Sequence, residues 1–121
     1  FIIGGMAHQH VVAVDFNRLA AQTARYNIEL NAAGDRVLAV HGRAEQLIES
    51  PADLVIANVH FDVMQGLLQS PGFRAKPHWI LSGLLRIQAE AVTQAYTCLG
   101  LGEPRAIEGG EWAALVWDDR R

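Results

Sequence analysis

The 121-residue sequence predicts a single α/β domain with a parallel sheet at its centre and an antiparallel hairpin at its end. Residues 53–59 contain an unbroken apolar run, which is typical of a central parallel strand covered by helices on both faces. Further short apolar runs alternate with helical patterns along the chain. The last segment instead has two strand patterns around Gly109 and Gly110, which indicate a hairpin.

The overall composition excludes several classes of protein. Half of the residues are hydrophobic and 19% are charged, as in ordinary globular domains. No apolar run approaches the roughly 20 residues that span a bilayer, so we expect no membrane partner. The net charge of −3 argues against direct binding to nucleic acid. A lone cysteine, Cys98, excludes an internal disulfide and favours a cytoplasmic location.

The first half of the chain predicts two strand–helix units. Asn17 is a plausible N-cap, Leu19, Tyr26 and Leu30 recur at helical spacing, and Gly34 is a natural stop. The predicted elements are strands over residues 11–15 and 36–41, a helix over 18–33, and a short helix or turn over 43–49.

The second half continues the alternation and then changes character. Ser70-Pro71-Gly72 is expected to close one helix, and Gly83 to follow a strand. A second long helix is expected to present Ile87, Ala91, Ala95 and Cys98 on one face. The predicted elements are strands over 54–58, 79–82, 105–108 and 111–117, and helices over 60–69 and 86–99.

Polar groups follow three of the predicted strands where ligands bind in open α/β sheets, outside the carboxyl ends. They are Asp15, the corner at 41–43, and Asn58. A carboxylate at such a position can accept from both hydroxyls of a ribose, and Phe16 beside it would cover an adenine ring. The alternatives are a helix cap for Asp15, a turn residue for Asn58 and a solvated charge for Arg43.

The sequence does not indicate a metal or a nucleophilic triad. The five histidines show no metal-ligand spacing, so we expect no metal site. There is no Ser-His-Asp pattern, and Gly4-Gly5 is too short to cradle a phosphate.

Five segments, taken in order, resemble the catalytic domain of the PrmA family, bacterial methyltransferases that modify a ribosomal large-subunit protein with S-adenosylmethionine. Each segment is weak by itself, whereas the ordered set, which ends in Gly-Glu-Trp, is specific. The segments are residues 11–17 (VVAVDFN), 27–31, 53–59 (DLVIANV), 81–85 (LSGLL) and 110–116 (GEWAALV).

The resemblance covers nearly the whole chain and implies one methyltransferase domain over residues 1–121, with the Rossmann-like seven-stranded sheet of class I methyltransferases. By this resemblance, Asp15 would bind the ribose hydroxyls of S-adenosylmethionine and Phe16 would lie against the adenine. Gly42, Arg43 and Ala44 would border the adenine edge. Asn58 would lie near the methionine end of the cofactor and act on the incoming nucleophile. The expected reaction is N-methylation of a protein acceptor.

The sequence departs from the family in two places. The family's first strand and Gly-rich turn should precede Phe1 and are missing here, and residues 1–7 match the end of the helix that follows that turn. We therefore expect a piece of a longer chain; direct pairing of the flanking strands, or a strand from another copy, are the alternatives. Arg43 also stands where the family usually has an acidic residue.

Other functions therefore stay open at the level of sequence. A degenerate methyltransferase-like binding or structural module would tolerate both departures. An NAD-binding oxidoreductase domain would also use Asp15 for a ribose. His60, Phe61 and Asp62 follow Asn58 closely and could line an acceptor pocket or merely start a helix. The sequence identifies neither the acceptor nor the oligomeric state.

Overall fold

The structure, a computed structural model, describes residues 2–4, 10–58 and 60–119. Within them the chain forms one mixed sheet and five helices. The strands are β1 (Ile2–Gly4), β2 (Val11–Asp15), β3 (Val37–His41), β4 (Leu54–Asn58), β5 (His78–Leu85), β6 (Arg105–Gly109) and β7 (Trp112–Asp118). The helices are α1 (Arg18–Leu30), α2 (Ala44–Leu47), α3 (Phe61–Leu68), α4 (Pro71–Arg74) and α5 (Arg86–Cys98).

The strand order across the sheet is β3-β2-β1-β4-β5-β7-β6. β2 pairs with β3 and β4 pairs with β5 in parallel, whereas β7 runs antiparallel to both β5 and β6. The predicted antiparallel end is therefore confirmed, and so are the parallel pairs of the centre, between which the short antiparallel β1 is inserted. Since β1 is antiparallel to both β2 and β4, those two strands point the same way and their carboxyl ends share one edge.

The three-residue strand β1 lies where the missing first strand was expected. Ile3 pairs with Val12 on one side and with Val55 on the other. The prediction that residues 1–7 form the end of a helix is wrong for Ile2–Gly4; Phe1 and residues 5–7 lie outside the described part. The reason is that β2 and β4 would otherwise face each other with unpaired backbone groups, which an extended segment satisfies on both sides.

The main core lies on one face of the sheet. Val55, Ala57, Trp79, Leu81 and Leu115 are fully buried there. Side chains of the short α2 and of α3, α4 and α5 complete this cluster. On the opposite face Leu54 and Ile56 are only half-buried, so the prediction that both faces of β4 are fully covered is wrong for the described residues.

In both long helices, the residues that the sequence predicts on one helical face, as the apolar side, are exposed in the structure. In α1, Leu19, Tyr26 and Leu30 are 72%, 62% and 70% exposed, while Ala21 is buried. In α5 the buried residues are Ala89, Val92 and Tyr96, and the expected face of Ile87, Ala91, Ala95 and Cys98 is exposed. Small alanine side chains let α1 approach the sheet closely, and Tyr96 is held by a hydrogen bond from Trp79 Nε1 at 3.0 Å.

Helix α1 ends three residues earlier than expected. Its last residue is Leu30, and Ala32 adopts a left-handed conformation with φ of 51°. The N–H of Ala33 donates to the carbonyl oxygen of Ile28 at 2.9 Å, which closes the helix as a Schellman-type cap. Asn31 adds a side-chain bond to the carbonyl oxygen of Asn27, so Gly34 is not the residue that stops the helix.

Three other boundaries differ from the sequence prediction. Pro71 begins the short helix α4, because proline is well suited to the first helical position. β5 continues through Gly83 to Leu85. The hairpin turn is Gly110-Glu111, with φ of 62° at Gly110. Within the described ranges, no helix has the length and apolar character that a bilayer crossing requires.

Lys76 ties α2 to α4. The Lys76 side chain is charged yet buried, with only 4% of its surface exposed. Its Nζ donates to the carbonyl oxygens of Ile48, Ser50 and Gly72 at 2.7, 2.8 and 3.0 Å. Burial lowers the pKa of this ammonium, and the nearby Glu49 carboxylate opposes that shift. All three ammonium protons therefore serve to hold the segment after α2 against α4.

Candidate functional site

A pocket of about 540 Å³ opens at the edge where β2, β3 and β4 end. All six residues that the sequence predicted for the site line it. They are Asp15, Phe16, Gly42, Arg43, Ala44 and Asn58. Three strands that are far apart in the sequence are thus brought together at one rim, as open α/β sheets require.

Asp15 lies at the carboxyl end of β2, opposite His41 in the parallel register. Its Oδ1 accepts from the backbone N–H of Asn17 at 2.8 Å. The helix cap itself is Asn17, whose Oδ1 accepts from the N–H of Ala20 at 3.1 Å. The second carboxylate oxygen of Asp15 has no hydrogen-bond partner within the described ranges, so it is available to a ligand.

Phe16 presents its ring to the pocket and is 65% exposed. Its carbonyl oxygen accepts a hydrogen bond from His41 Nε2 at 3.0 Å. The guanidinium carbon of Arg43 lies 4.8 Å from the centroid of the Phe16 ring, within range of a cation–π interaction. Arg43 is therefore not merely a solvated charge.

The corner between β3 and α2 is fixed by its backbone. The N–H of Gly42 donates to the carbonyl oxygen of Asp15 at 3.0 Å, which joins the ends of β2 and β3. The N–H of Arg43 donates to Gln46 Oε1 at 3.0 Å. Ala44 is buried at the start of α2. These hydrogen bonds therefore hold the backbone of residues 42–44 in place beside Phe16.

Asn58 ends β4 and pairs with Ser82 of β5. Its side chain is exposed, and its amide makes no hydrogen bond to any part of the chain that the structure describes. A turn residue would have bonded its own neighbouring backbone. An amide with two donors and an acceptor thus remains available at the pocket.

Five further residues line the pocket and were not among the predicted site residues: Val14, Asn17, Glu45, His60 and Val63. For Asn17, Glu45, His60 and Val63, position along the chain gives the missing signal, because the start of each helix after a strand borders the same edge. His60, which the sequence left undecided, both precedes α3 and faces the pocket.

Across residues 10–58 and 60–119, no three His, Cys, Asp or Glu side chains are arranged to hold a metal ion. The titratable groups that line the pocket are Asp15, Arg43, Glu45 and His60. The polar side chains at this site therefore include carboxylates, a guanidinium and an imidazole beside the amide of Asn58.

The sheet order and the position of the pocket define the class I methyltransferase fold. Two solved structures share it. One is a ribosomal protein L11 methylase from Lactobacillus delbrueckii subsp. bulgaricus, with a TM-score of 0.69 and 20% identity over 87% of this chain and 55% of that one. The other is the METTL16 methyltransferase domain, with a TM-score of 0.73 and 13% identity over 91% and 50% of the two chains.

The particular family follows from sequence comparison. The family described as Ribosomal protein L11 methyltransferase (PrmA) matches residues 4–120, and this chain belongs to it. Relatives of that name are 37% identical over 108 residues in Gloeobacter violaceus and 35% identical over 108 residues in Pelotomaculum thermopropionicum. Those matches cover 86% and 88% of this chain but only 33% and 35% of the relatives, so the chain spans about a third of their length.

Proposed function

We propose that this protein transfers a methyl group from S-adenosylmethionine to a nitrogen of a protein acceptor of the ribosomal type, in the cytoplasm. The observation that carries the proposal is the gathering of the six residues expected from the family around one pocket. The names of the curated relatives support a ribosomal protein as acceptor. The lone Cys98 agrees with a reducing compartment.

The residues around the pocket fit the adenosyl part of this cofactor. The pocket volume of about 540 Å³ is within the usual range for small-molecule sites. Asp15 offers a free carboxylate oxygen to the ribose hydroxyls, and the exposed ring of Phe16 offers a face to the adenine. Gly42, Arg43 and Ala44 would border the edge of the base.

The cofactor supplies a methyl group on a sulfonium, which an amine displaces in line while the sulfur takes the bonding electrons. The chain's contribution is to orient and desolvate the reacting atoms. Asn58 at the pocket would accept a hydrogen bond from the incoming N–H through its amide oxygen and so direct the nitrogen lone pair. The proton released from the methylated nitrogen would pass to solvent.

Calorimetric titration with S-adenosylhomocysteine tests the proposal on protein expressed from its complete reading frame. We expect saturable binding, and Asp15→Ala should weaken it at least tenfold, because one or two charge-assisted hydrogen bonds of about 1.5–3 kcal/mol each are lost. Asp35→Ala is the matched control, since Asp35 is an exposed carboxylate outside the pocket. Absence of heat at millimolar ligand would overturn the proposal, and binding of NAD instead would favour an oxidoreductase.

A further inference from the structure

We infer that Gly83 is a positioning residue for Asn58, an assignment that rests on the proposed function. Gly83 follows Ser82, the residue that pairs with Asn58 across β4 and β5. The pairing of β5 with β7 shifts between Leu81 and Leu84, so the strand bulges at this point. The bulge brings the backbone of Gly83 against the side chain of Asn58.

Because of this contact, a side chain at position 83 would force the amide of Asn58 to move. A Cβ on Gly83 would overlap Oδ1 of Asn58, and would lie 3.2 Å from its Cγ and 3.7 Å from its Nδ2. Gly83 also has φ of 75°, a conformation that other residues rarely adopt. The backbone of β5 at Gly83 therefore packs against the amide of Asn58.

The contact with Gly83 is important for the orientation of Asn58, because the amide of Asn58 makes no hydrogen bond within the described part of the chain. The backbone at Gly83 lies beside Oδ1 of Asn58, and this packing occupies none of the amide's hydrogen-bonding groups, while Asn58 lines the pocket. A hydrogen-bonded amide would be fixed but already occupied. Glycine at position 83 thus gives Asn58 a defined orientation without using its polar groups.

The first test measures the contact through stability. Gly83→Ala and Gly100→Ala both place alanine at a left-handed position, with φ of 75° and 73°, but only the first meets another side chain, since nothing lies within 4 Å at Gly100. We expect Gly83→Ala to lower the urea midpoint more than Gly100→Ala does. The excess should disappear when Asn58→Ala removes the amide.

Equal destabilisation by Gly83→Ala with and without Asn58→Ala would overturn the contact. If Gly83→Ala does not fold although Gly100→Ala does, the double variant decides the same question: recovery of cooperative unfolding supports the contact, and failure to recover overturns it. This test needs neither cofactor nor acceptor, so its outcome is independent of the proposed function.

The second test measures methyl transfer to purified ribosomal protein L11. Gly83→Ala should lower kcat about 100-fold, as expected for a misplaced group, and leave the affinity for S-adenosylhomocysteine unchanged. Added to Asn58→Ala, it should cause no further loss, whereas Gly100→Ala should have no effect on kcat. If Gly83→Ala lowers kcat by the same factor with and without Asn58→Ala, the positioning role is overturned. Absence of transfer and of cofactor binding in the unsubstituted protein would instead overturn the proposed function, and with it the effect of Gly83 on catalysis through Asn58.

Discussion

The guanidinium of Arg43 lies over the ring of Phe16, with Cζ 4.8 Å from the ring centroid. Both side chains line the pocket, and the ring of Phe16 is the face on which an adenine is expected. The resemblance puts Arg43 at the edge of the adenine, whereas the structure has its guanidinium over the ring of Phe16, where the base itself would stack under the proposed function. One ring face cannot hold a guanidinium and a base together, so a base that stacks on the face covered by Arg43 should displace it.

Arg43→Ala should therefore strengthen the binding of S-adenosylhomocysteine. In the unsubstituted protein the ligand must first break the cation–π contact between Arg43 and Phe16, which at an exposed site costs about 0.5–1 kcal/mol. Without the guanidinium this cost is absent, so we expect an affinity about two to five times higher. Calorimetric titration measures the change, with Arg25→Ala on the outer surface of α1 as a control. Weaker binding by Arg43→Ala would show that the guanidinium contacts the ligand instead of yielding to it.

Lys76→Met should destabilise the fold strongly. The substitution removes the donor from the carbonyl oxygens of Ile48 and Gly72, whose bonds are buried, and from that of Ser50, whose bond is partly buried. Leaving a buried polar group unsatisfied costs about 1–3 kcal/mol, so we expect a loss of about 3 kcal/mol or more in total. Urea unfolding measures this loss, and Arg25→Met, at an exposed position, should have little effect.

The stability that depends on Lys76 should rise with pH. Burial holds the pKa of Lys76 below its usual 10.5, so between the folded-state pKa and 10.5 the unfolded chain binds more protons than the folded one. The free energy of unfolding must then increase with pH across that window. The difference between the unsubstituted protein and Lys76→Met should be larger at about pH 10 than at about pH 8. A constant or shrinking difference would contradict this assignment.

Two glycines in neighbouring helices predict opposite effects of alanine. A Cβ on Gly72 would lie 2.6 Å from the carbonyl oxygen of Ile48 and 2.7 Å from Cα of Glu49, and that backbone cannot move aside easily. Gly72→Ala should therefore cost about 1–3 kcal/mol.

Gly66 is exposed inside α3 with nothing within 4 Å, so Gly66→Ala should stabilise by about 0.4–1 kcal/mol. Thermal unfolding of the two variants tests this prediction. A neutral Gly72→Ala would indicate that α4 lies further from Glu49 than the structure has it.

The sequence was sufficient to predict the rim of the sheet. A buried parallel strand has an apolar run that ends where the chain returns to solvent, so Asp15 and Asn58 mark both the strand ends and the pocket. The fold class and the hairpin follow from equally local signals. The gathering of these residues around one pocket then follows from the rule that parallel strands end at a common edge.

Other features depend on contacts between distant parts of the chain. Apolar residues occur on more than one side of α1, and packing against β2 and β3 decides that Ala21 is buried and Leu19 exposed. No local pattern indicates that Ile2–Gly4 pairs with two strands at once. The importance of Gly83 also depends on a register shift in β5, which hydrophobic periodicity does not encode.

The short strand β1 also divides the molecule. Val14, Ala21 and Ala39 are buried on the side of β2, β3 and α1, outside the main cluster on the side of β4 and β5. The smaller side should open more readily and exchange its amide hydrogens faster. The pocket takes Asp15 from the smaller side and Asn58 from the larger one. A ligand that contacts both Asp15 and Asn58 would therefore link the two sides of the sheet, in addition to β1. Its binding free energy would then oppose local opening of the smaller side.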